Sequence, residues 1–320
     1  MCNFAGLKKL SKMIYMLIAL VLGFCTPLQT AANSRMRQLV SSAPLSTLIS
    51  FAVSTIVLII VALIASIPLM PSQQAFHDAP WWSWFIGVIP LITITIAIHL
   101  FKEIGQLQAM VIPMFSQLIF SLCIDHFGWL GARVMPLGWQ RVIGALLLIV
   151  GVTMVVIIPR LKSNSSTAGG GFRQVLWQLA AVLSGCLSAA VGAILASLGQ
   201  VIGSAIQATT VLFAIATVVM IVFCCINGSV TKLPRAFSTH NAPWWIWMGG
   251  PLGAIIVYGN AWLIPVIGVS VFMMALLIGQ LLLSLLMERN GWLGAPRKHI
   301  SWSQLAGILI MLAGVFLIKF

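Results

Sequence analysis

Residues 117–131 read QLIFSLCIDHFGWLG, and 163 positions further on residues 280–294 read QLLLSLLMERNGWLG. The stretches share Gln, Ser and the tetrapeptide Gly-Trp-Leu-Gly at matching places, and Asp125 is answered by Glu288. The same shift continues outward on both sides. It lays Ala79-Pro80-Trp81-Trp82 on Ala242-Pro243-Trp244-Trp245, Trp84 on Trp247, Gly87 on Gly250, Trp139 on Trp302, Gly144 on Gly307 and Gly151 on Gly314. Between 125–152 and 288–315, 10 of 28 positions are identical. Two of these, Trp129 and Trp139, are tryptophan, and with the Trp81, Trp82 and Trp84 matches they are more than biased composition produces, so the chain is a duplication.

Both copies are apolar throughout. Of 320 residues, 61% are hydrophobic and 7% charged, and mean hydropathy is +1.10. That leaves too little polar surface to coat a water-soluble protein. A soluble enzyme is excluded, as are disordered, collagen-like and disulfide-rich secreted classes. A bilayer core of about 30 Å takes roughly 20 apolar residues per helix. Ten segments of that kind stand between charges, Pro/Gly or Ser/Asn clusters: 13–32, 45–68, 81–101, 105–124, 141–159, 174–197, 204–227, 244–263, 267–287 and 303–319. The blocks are unbroken, not alternating, which predicts helices in place of a transmembrane β-barrel. The expected fold is an all-α membrane protein with ten transmembrane helices.

Five spans fall in each copy, over 1–160 and 174–320, and the polar stretch 161–173 reads as a flexible linker. Five is odd, so the second copy enters the membrane from the opposite side. Two inverted five-helix repeats are the architecture in which secondary transporters hold a midplane site between halves. Lys8, Lys9 and Lys12 ahead of the first apolar stretch resemble a signal peptide. That stretch has a counterpart in the second copy, however, so it reads as the first span.

The 17 Lys and Arg against 4 Asp and Glu would suggest nucleic acid if the cations clustered. They are scattered between apolar segments, as topology signals are. Arg35, Arg37, Lys102, Arg160, Lys162, Arg173, Lys232, Arg235, Arg289, Arg297 and Lys298 fall on one side of the ten-span layout. Lys8, Lys9, Lys12, Arg133, Arg141 and Lys319 fall on the other, so the positive-inside rule places both termini outside.

Gln117, Ser121 and Asp125 recur at steps of four, as do Gln280, Ser284 and Glu288. Steps of four drift by about 40° on a helix, so each set occupies one face. Such a stripe facing lipid is costly, and both are expected to face the bundle interior or a wet cavity. The rival reading is that Gln and Ser bond a neighbouring helix while the acids sit at helix ends. Gln29 and Asn33, four apart at the end of the first span, and Tyr258 and Asn260 in the eighth could likewise hydrogen-bond a solute or glue helices. The candidate solute-binding set is therefore Gln29, Asn33, Gln117, Ser121, Tyr258, Asn260, Gln280 and Ser284. Asp125, Glu288, His99 and Glu103 are candidates for coupling or gating; for the last two, Lys102 alongside offers an interfacial cluster as the alternative.

All four acids, Asp78, Glu103, Asp125 and Glu288, lie near predicted span ends. An antiporter of lipophilic cations built on a mid-membrane carboxylate is thus disfavoured, and neutral, zwitterionic or anionic solutes stay open. Ser184, Ser188, Gly192 and Ala196 make a small-residue face for close helix packing, as do Gly249 and Gly253. Pro90, Pro113 and Pro251 are kink positions, and Trp81, Trp82, Trp244 and Trp245 read as interfacial anchors. The six cysteines show no metal spacing, and the glycine run 169–171 lacks the Lys-Ser/Thr of a phosphate loop. No catalytic residue, metal or cofactor is expected. The expected partners are membrane lipid and a small-molecule solute, with no nucleic acid; a monomer suffices and a homodimer is allowed.

Ser50-Phe51, Pro80-Trp81-Trp82 and the block 117–131, with the second-copy counterparts Pro243-Trp244-Trp245 and 279–294, resemble the drug/metabolite transporter superfamily. Within it they resemble the YdcZ-type branch, whose members occur as five-helix halves or fused ten-helix chains. The resemblance covers nearly the whole chain from about residue 13. The second copy departs from the pattern, with Glu288 for aspartate and Arg289-Asn290 for His126-Phe127. The resemblance implies a multi-pass transporter of the inner (plasma) membrane that exports a small metabolite or drug-like solute. Ten-helix relatives in the superfamily usually carry both termini in the cytoplasm, opposite to the charge count.

The expected function is a secondary transporter, an exporter moving such a solute across the inner membrane by alternating access, and not an enzyme. An intramembrane enzyme acting on a lipid-linked substrate would need clustered acid and base residues. Asp125-His126 and His77-Asp78 are the only adjacent pairs of that type, and neither repeats. A non-transporting assembly factor, the third class, has no need of buried polar stripes.

Overall fold

The computed structural model describes residues 4–136, 138–157, 172–238, 243–294 and 301–319. Among them the regular structure is helical and no strand occurs. In chain order it runs α1 (Phe4–Val40), α2 (Ala43–Ile64), a short α3 (Gln73–Asp78), and a 3-10 segment Trp81–Val88 leading into α4 (Ile89–Glu103). Then come α5 (Gly105–Phe127), α6 (Trp139–Val152), α7 (Phe172–Ile202), α8 (Ala205–Ile226) and a short α9 (Pro234–Ser238). A second 3-10 segment, Trp244–Met248, leads into α10 (Gly249–Ile267), followed by α11 (Val269–Asn290) and α12 (Trp302–Lys319).

Among the described residues nine helices are long and apolar enough to cross a membrane, matching the first nine expected segments. The tenth, expected at 303–319, corresponds to α12, which runs Trp302–Lys319 and is apolar over Trp302–Gly314 among the described residues. The first span also differs, running Met13–Val40 where 13–32 was expected. Arg35 and Arg37 mark where the chain becomes polar, but arginine is a good helix former and does not end the helix. The linker expected at 161–173 lies outside the described residues except for Phe172 and Arg173, which open α7.

Matching signals bound the helices of the two copies. Ser42 and Ser204 cap α2 and α8, each side chain accepting from a backbone N–H three residues on, Leu45 at 3.4 Å and Gln207 at 3.3 Å. Gly128 (φ 66°) and Gly291 (φ 71°) end α5 and α11 in the left-handed conformation that glycine adopts without penalty. Leu130 and Leu293 two residues later are also left-handed, which costs a non-glycine residue about 1 kcal/mol. The repeated Gly-Trp-Leu-Gly block is thus a helix terminator that turns the chain sharply.

The chain packs as two compact units, each drawing on both sequence copies. The first comprises Met1–Phe24, Thr95–Ala193 and Leu263–Phe320, the second Cys25–Ile94 and Ile194–Trp262. In the first unit, α6 and α12 meet through glycines. A Cβ on Gly151 would lie 2.6 Å from Gly307 O, and one on Gly314 would lie 2.7 Å from Gly144 O. These are the same contact seen from each copy, since 144 answers to 307 and 151 to 314. The pairing recurs where Gly23 abuts Leu276, Gly279 and Gln280 while Gly185 abuts Pro113, Ser116 and Gln117. No side chain larger than hydrogen fits at such approaches, so the backbones pack by dispersion.

The second unit follows the same rule around α2 and α8. Thr55 and Thr217, equivalent residues, share a hydrogen bond of 2.9 Å, and equivalent Phe51 and Phe213 meet edge to face at 5.6 Å. Gly87 rests on Ile215 and Ala216, and Gly250 on Val53. Here the shift is 162, not 163, because the connection after α8 is one residue longer than that after α2. A dry core of Met36, Val40, Leu45, Leu48, Ile49, Met220, Cys224 and Ile246 fills one end of this unit.

Candidate functional site

In the second unit the polar end of α1 lies against the glycine face of α10. A Cβ on Gly249 would collide with Asn33 Oδ1, and one on Gly253 would lie 2.5 Å from Gln29 Nε2. The two helices therefore run antiparallel, with Asn33 opposite Gly249 and Gln29 opposite Gly253. The third wall is a serine ladder on α2, residues Ser46, Ser50 and Ser54, which are 3%, 5% and 0% exposed. Ser46 Oγ donates to Asn33 O at 2.8 Å. Ser54 Oγ lies 2.8 Å from both the Ser50 and the Gly250 carbonyl oxygens. Ser50 Oγ sits 3.5 Å from where a Cβ on Gly249 would be and has no hydrogen-bond partner. Thr26 Oγ1 and Asn260 Oδ1 are buried without a partner too, and at the α1 and α10 register Thr26 falls one turn beyond Gln29 on the Asn260 side.

Two of the four sequence candidates in this unit, Gln29 and Asn33, are thus brought together, and Asn260 extends the same face of α10. Its Nδ2 reaches Ile256 O at 3.4 Å. Tyr258 stands about 140° round the helix from Gly253 at 100° per residue, and its ring stacks on Trp262. It lies off the seam. The ladder of Ser46, Ser50 and Ser54 is absent from the sequence candidates. Its signal was the same step of four that marks Gln117 and Ser121, hidden in the most apolar of the spans.

In the first unit the stripe of α5 faces α11. Asp125 is 1% exposed and accepts from Val269 N at 2.9 Å, from Ser270 N at 2.8 Å and from Ser270 Oγ. It thereby caps the free N–H groups at the start of α11, where a negative charge is favoured by the helix dipole. Gly268 (φ 90°) makes room, because a Cβ there would lie 2.7 Å from Met135 Sδ and 3.1 Å from Asp125 Oδ2. Met135 N donates to Asp125 O at 2.6 Å, and the Arg141 guanidinium donates to Met135 O at 3.2 Å. Ser121 Oγ, buried, donates to Leu118 O at 2.7 Å, and Gln117 Nε2 to Met273 Sδ at 3.0 Å. Ser270 was not singled out in the sequence, because nothing local reveals that a carboxylate lies opposite.

The second-copy stripe is different. Gln280, Ser284 and Glu288 are half-buried, and none makes a side-chain hydrogen bond to a described residue. His99 and Glu103 do not pair with each other. His99 Nδ1 lies 2.9 Å from Thr95 O while its ring stacks on Trp177, and Glu103 accepts from Arg173 at 2.6 Å. Among the described residues no group of three or more His, Cys, Asp or Glu stands close enough to share a metal ion.

The family model described as "Putative inner membrane exporter, YdcZ" matches the chain twice, over residues 14–154 and 176–317. A solved structure described only as "Crystal structure of protein" aligns over 96% of this chain and 96% of its own, with a TM-score of 0.62 at 15% identity. At that identity the likeness concerns the fold alone. No curated protein matches the chain at a comparable level of significance.

Proposed function

The chain belongs to the YdcZ-type family of multi-pass inner-membrane exporters, and from that premise we propose a secondary transporter that carries a small metabolite or drug-like solute by alternating access. Ten spans, α12 included, form two inverted five-helix repeats, 1–160 and 174–320, joined at 161–173. Both termini face outward, as the distribution of Lys and Arg favours. The solute binds along the polar seam of α1, α2 and α10, with Gln29, Asn33, Ser50 and Asn260 as its hydrogen-bonding residues.

One observation carries this reading. Thr26 Oγ1, Ser50 Oγ and Asn260 Oδ1 are buried oxygens with no partner among the described residues. An unsatisfied buried polar group costs about 1–3 kcal/mol, and in apolar surroundings such a cost is borne where a ligand or water supplies the missing bond. The test is efflux from proteoliposomes of a panel of polyols, amino acids, carboxylates and quaternary ammonium ions, with and without a proton gradient. Ser50→Ala and Asn260→Leu are expected to lower efflux of the carried solute about tenfold without lowering thermal stability. Full efflux by both variants retires the seam as the solute site.

A further inference from the structure

The first unit repeats its packing from copy to copy but breaks the repeat at one place. Gly23 and Gly185 make equivalent contacts, and the glycine pairs of α6 and α12 are reciprocal. The starts of α5 and α11 also match, since equivalent glycines with positive φ stand there, Gly105 at 76° as the first residue of α5 and Gly268 at 90° directly before α11. Each helix ends on a carboxylate three residues before a left-handed glycine, Asp125 before Gly128 and Glu288 before Gly291. At the antiparallel register that brings Asp125 to Val269 and Ser270, Glu288 corresponds to Gln106 and Leu107. Yet only Asp125 is engaged, through three bonds, while Glu288 bonds no described residue.

We infer that Asp125 and Glu288 form an exchanging latch, in which Asp125 caps α11 in the state described and Glu288 caps α5 at Gln106 and Leu107 in the opposite state. The inference rests on the inverted-repeat reading above. When two inverted copies alternate access they trade conformations, so a contact made by one copy alone belongs to one state, and its counterpart belongs to the other. A carboxylate at a helix start is a fitting device for this. Its bonds to backbone N–H groups are directional and charge-assisted, so they are either made or absent. Glu288 carries one methylene more than Asp125, which lets it reach equivalent N–H groups from a less closely packed backbone.

The test uses the full chain with its six native cysteines replaced and a protease site inserted in 161–171, so that a disulfide between copies holds the cleaved halves together on a non-reducing gel. The pairs D125C/S270C and E288C/L107C are oxidised with copper phenanthroline in membranes. D125C/S270C is expected to cross-link in most molecules and E288C/L107C in a minority. Adding D125N to E288C/L107C is expected to raise its cross-linked fraction about tenfold, the shift that follows from losing one charge-assisted cap. S270A, which leaves two of the three donors in place, is expected to raise it less and serves if D125N is not recovered as a monodisperse protein. An E288C/L107C pair that stays open in the parent, D125N and S270A backgrounds overturns the latch. So does simultaneous closure of both pairs in one molecule. The readout needs no solute, so exchange without efflux faults the solute site, and efflux without exchange faults the latch.

Discussion

The polar clusters of the two units differ in whether every deeply buried member has a partner. In the first unit Asp125, Ser121 and Gln117 each have a partner, and Asp125 has three. In the second, Ser46 and Ser54 are bonded, but Thr26, Ser50 and Asn260 hold buried atoms that have no partner among the described residues. Polar groups in an apolar interior stabilise when satisfied and cost stability when not. The difference separates a fastening from a receptacle. Asp125 ties the start of α11 to the end of α5, whereas Thr26, Ser50 and Asn260 hold bonding capacity in reserve.

That contrast can be broken by substitution, and the largest effect falls on the fastening. Asp125→Leu together with Glu288→Leu leaves the start of α11 uncapped with no substitute, and is expected to cost about 3 kcal/mol or more, read as loss of monodisperse protein or of thermal midpoint in detergent. Asp125→Leu alone costs less if α5 is capped instead, so equal losses in the two variants would count against exchange. Gly151→Leu and Gly314→Leu, equivalent residues in reciprocal contacts, are each expected to lose about 2 kcal/mol; a large inequality in their denaturation midpoints would mean that the α6 and α12 contact is not symmetric. The serine ladder sharpens the comparison further. Ser54→Ala removes a bonded hydroxyl and should lose about 1 kcal/mol with efflux little changed, while Ser50→Ala removes an unbonded one and should do the reverse. The smallest effect belongs to Arg173→Ala, whose partner Glu103 it meets from a largely exposed position; the change should stay below about 1 kcal/mol and shrink further in high salt.

Much of this was legible beforehand, for physical reasons that differ from residue to residue. Nine spans are readable because a helix in lipid must satisfy its own backbone and coat itself in apolar side chains, which leaves an unbroken block in the chain. The tenth was legible in the same way, as the block 303–319 that α12 covers. Gly-Trp-Leu-Gly reads as a mark of duplication, and only its backbone angles reveal a helix terminator. The stripe of Gln117, Ser121 and Asp125 is visible as a helical face, because steps of four are a local property. The ladder of Ser46, Ser50 and Ser54 obeys the same rule but carries no amide or acid to draw notice.

Composition and periodicity alone therefore determined that the chain lies in a membrane, that it is helical, that it is doubled and which faces of its helices are polar. Tertiary structure decided that, among the described residues, Asp125 is bonded while Glu288 is not and Ser50 Oγ has no partner, and that Gln29 and Asn33 face Gly253 and Gly249 while Tyr258 turns away. Periodicity is set by neighbours three and four residues along one helix. Whether a polar atom is satisfied depends on which backbone or side chain stands opposite it, and those partners lie as far as 196 residues away in the chain.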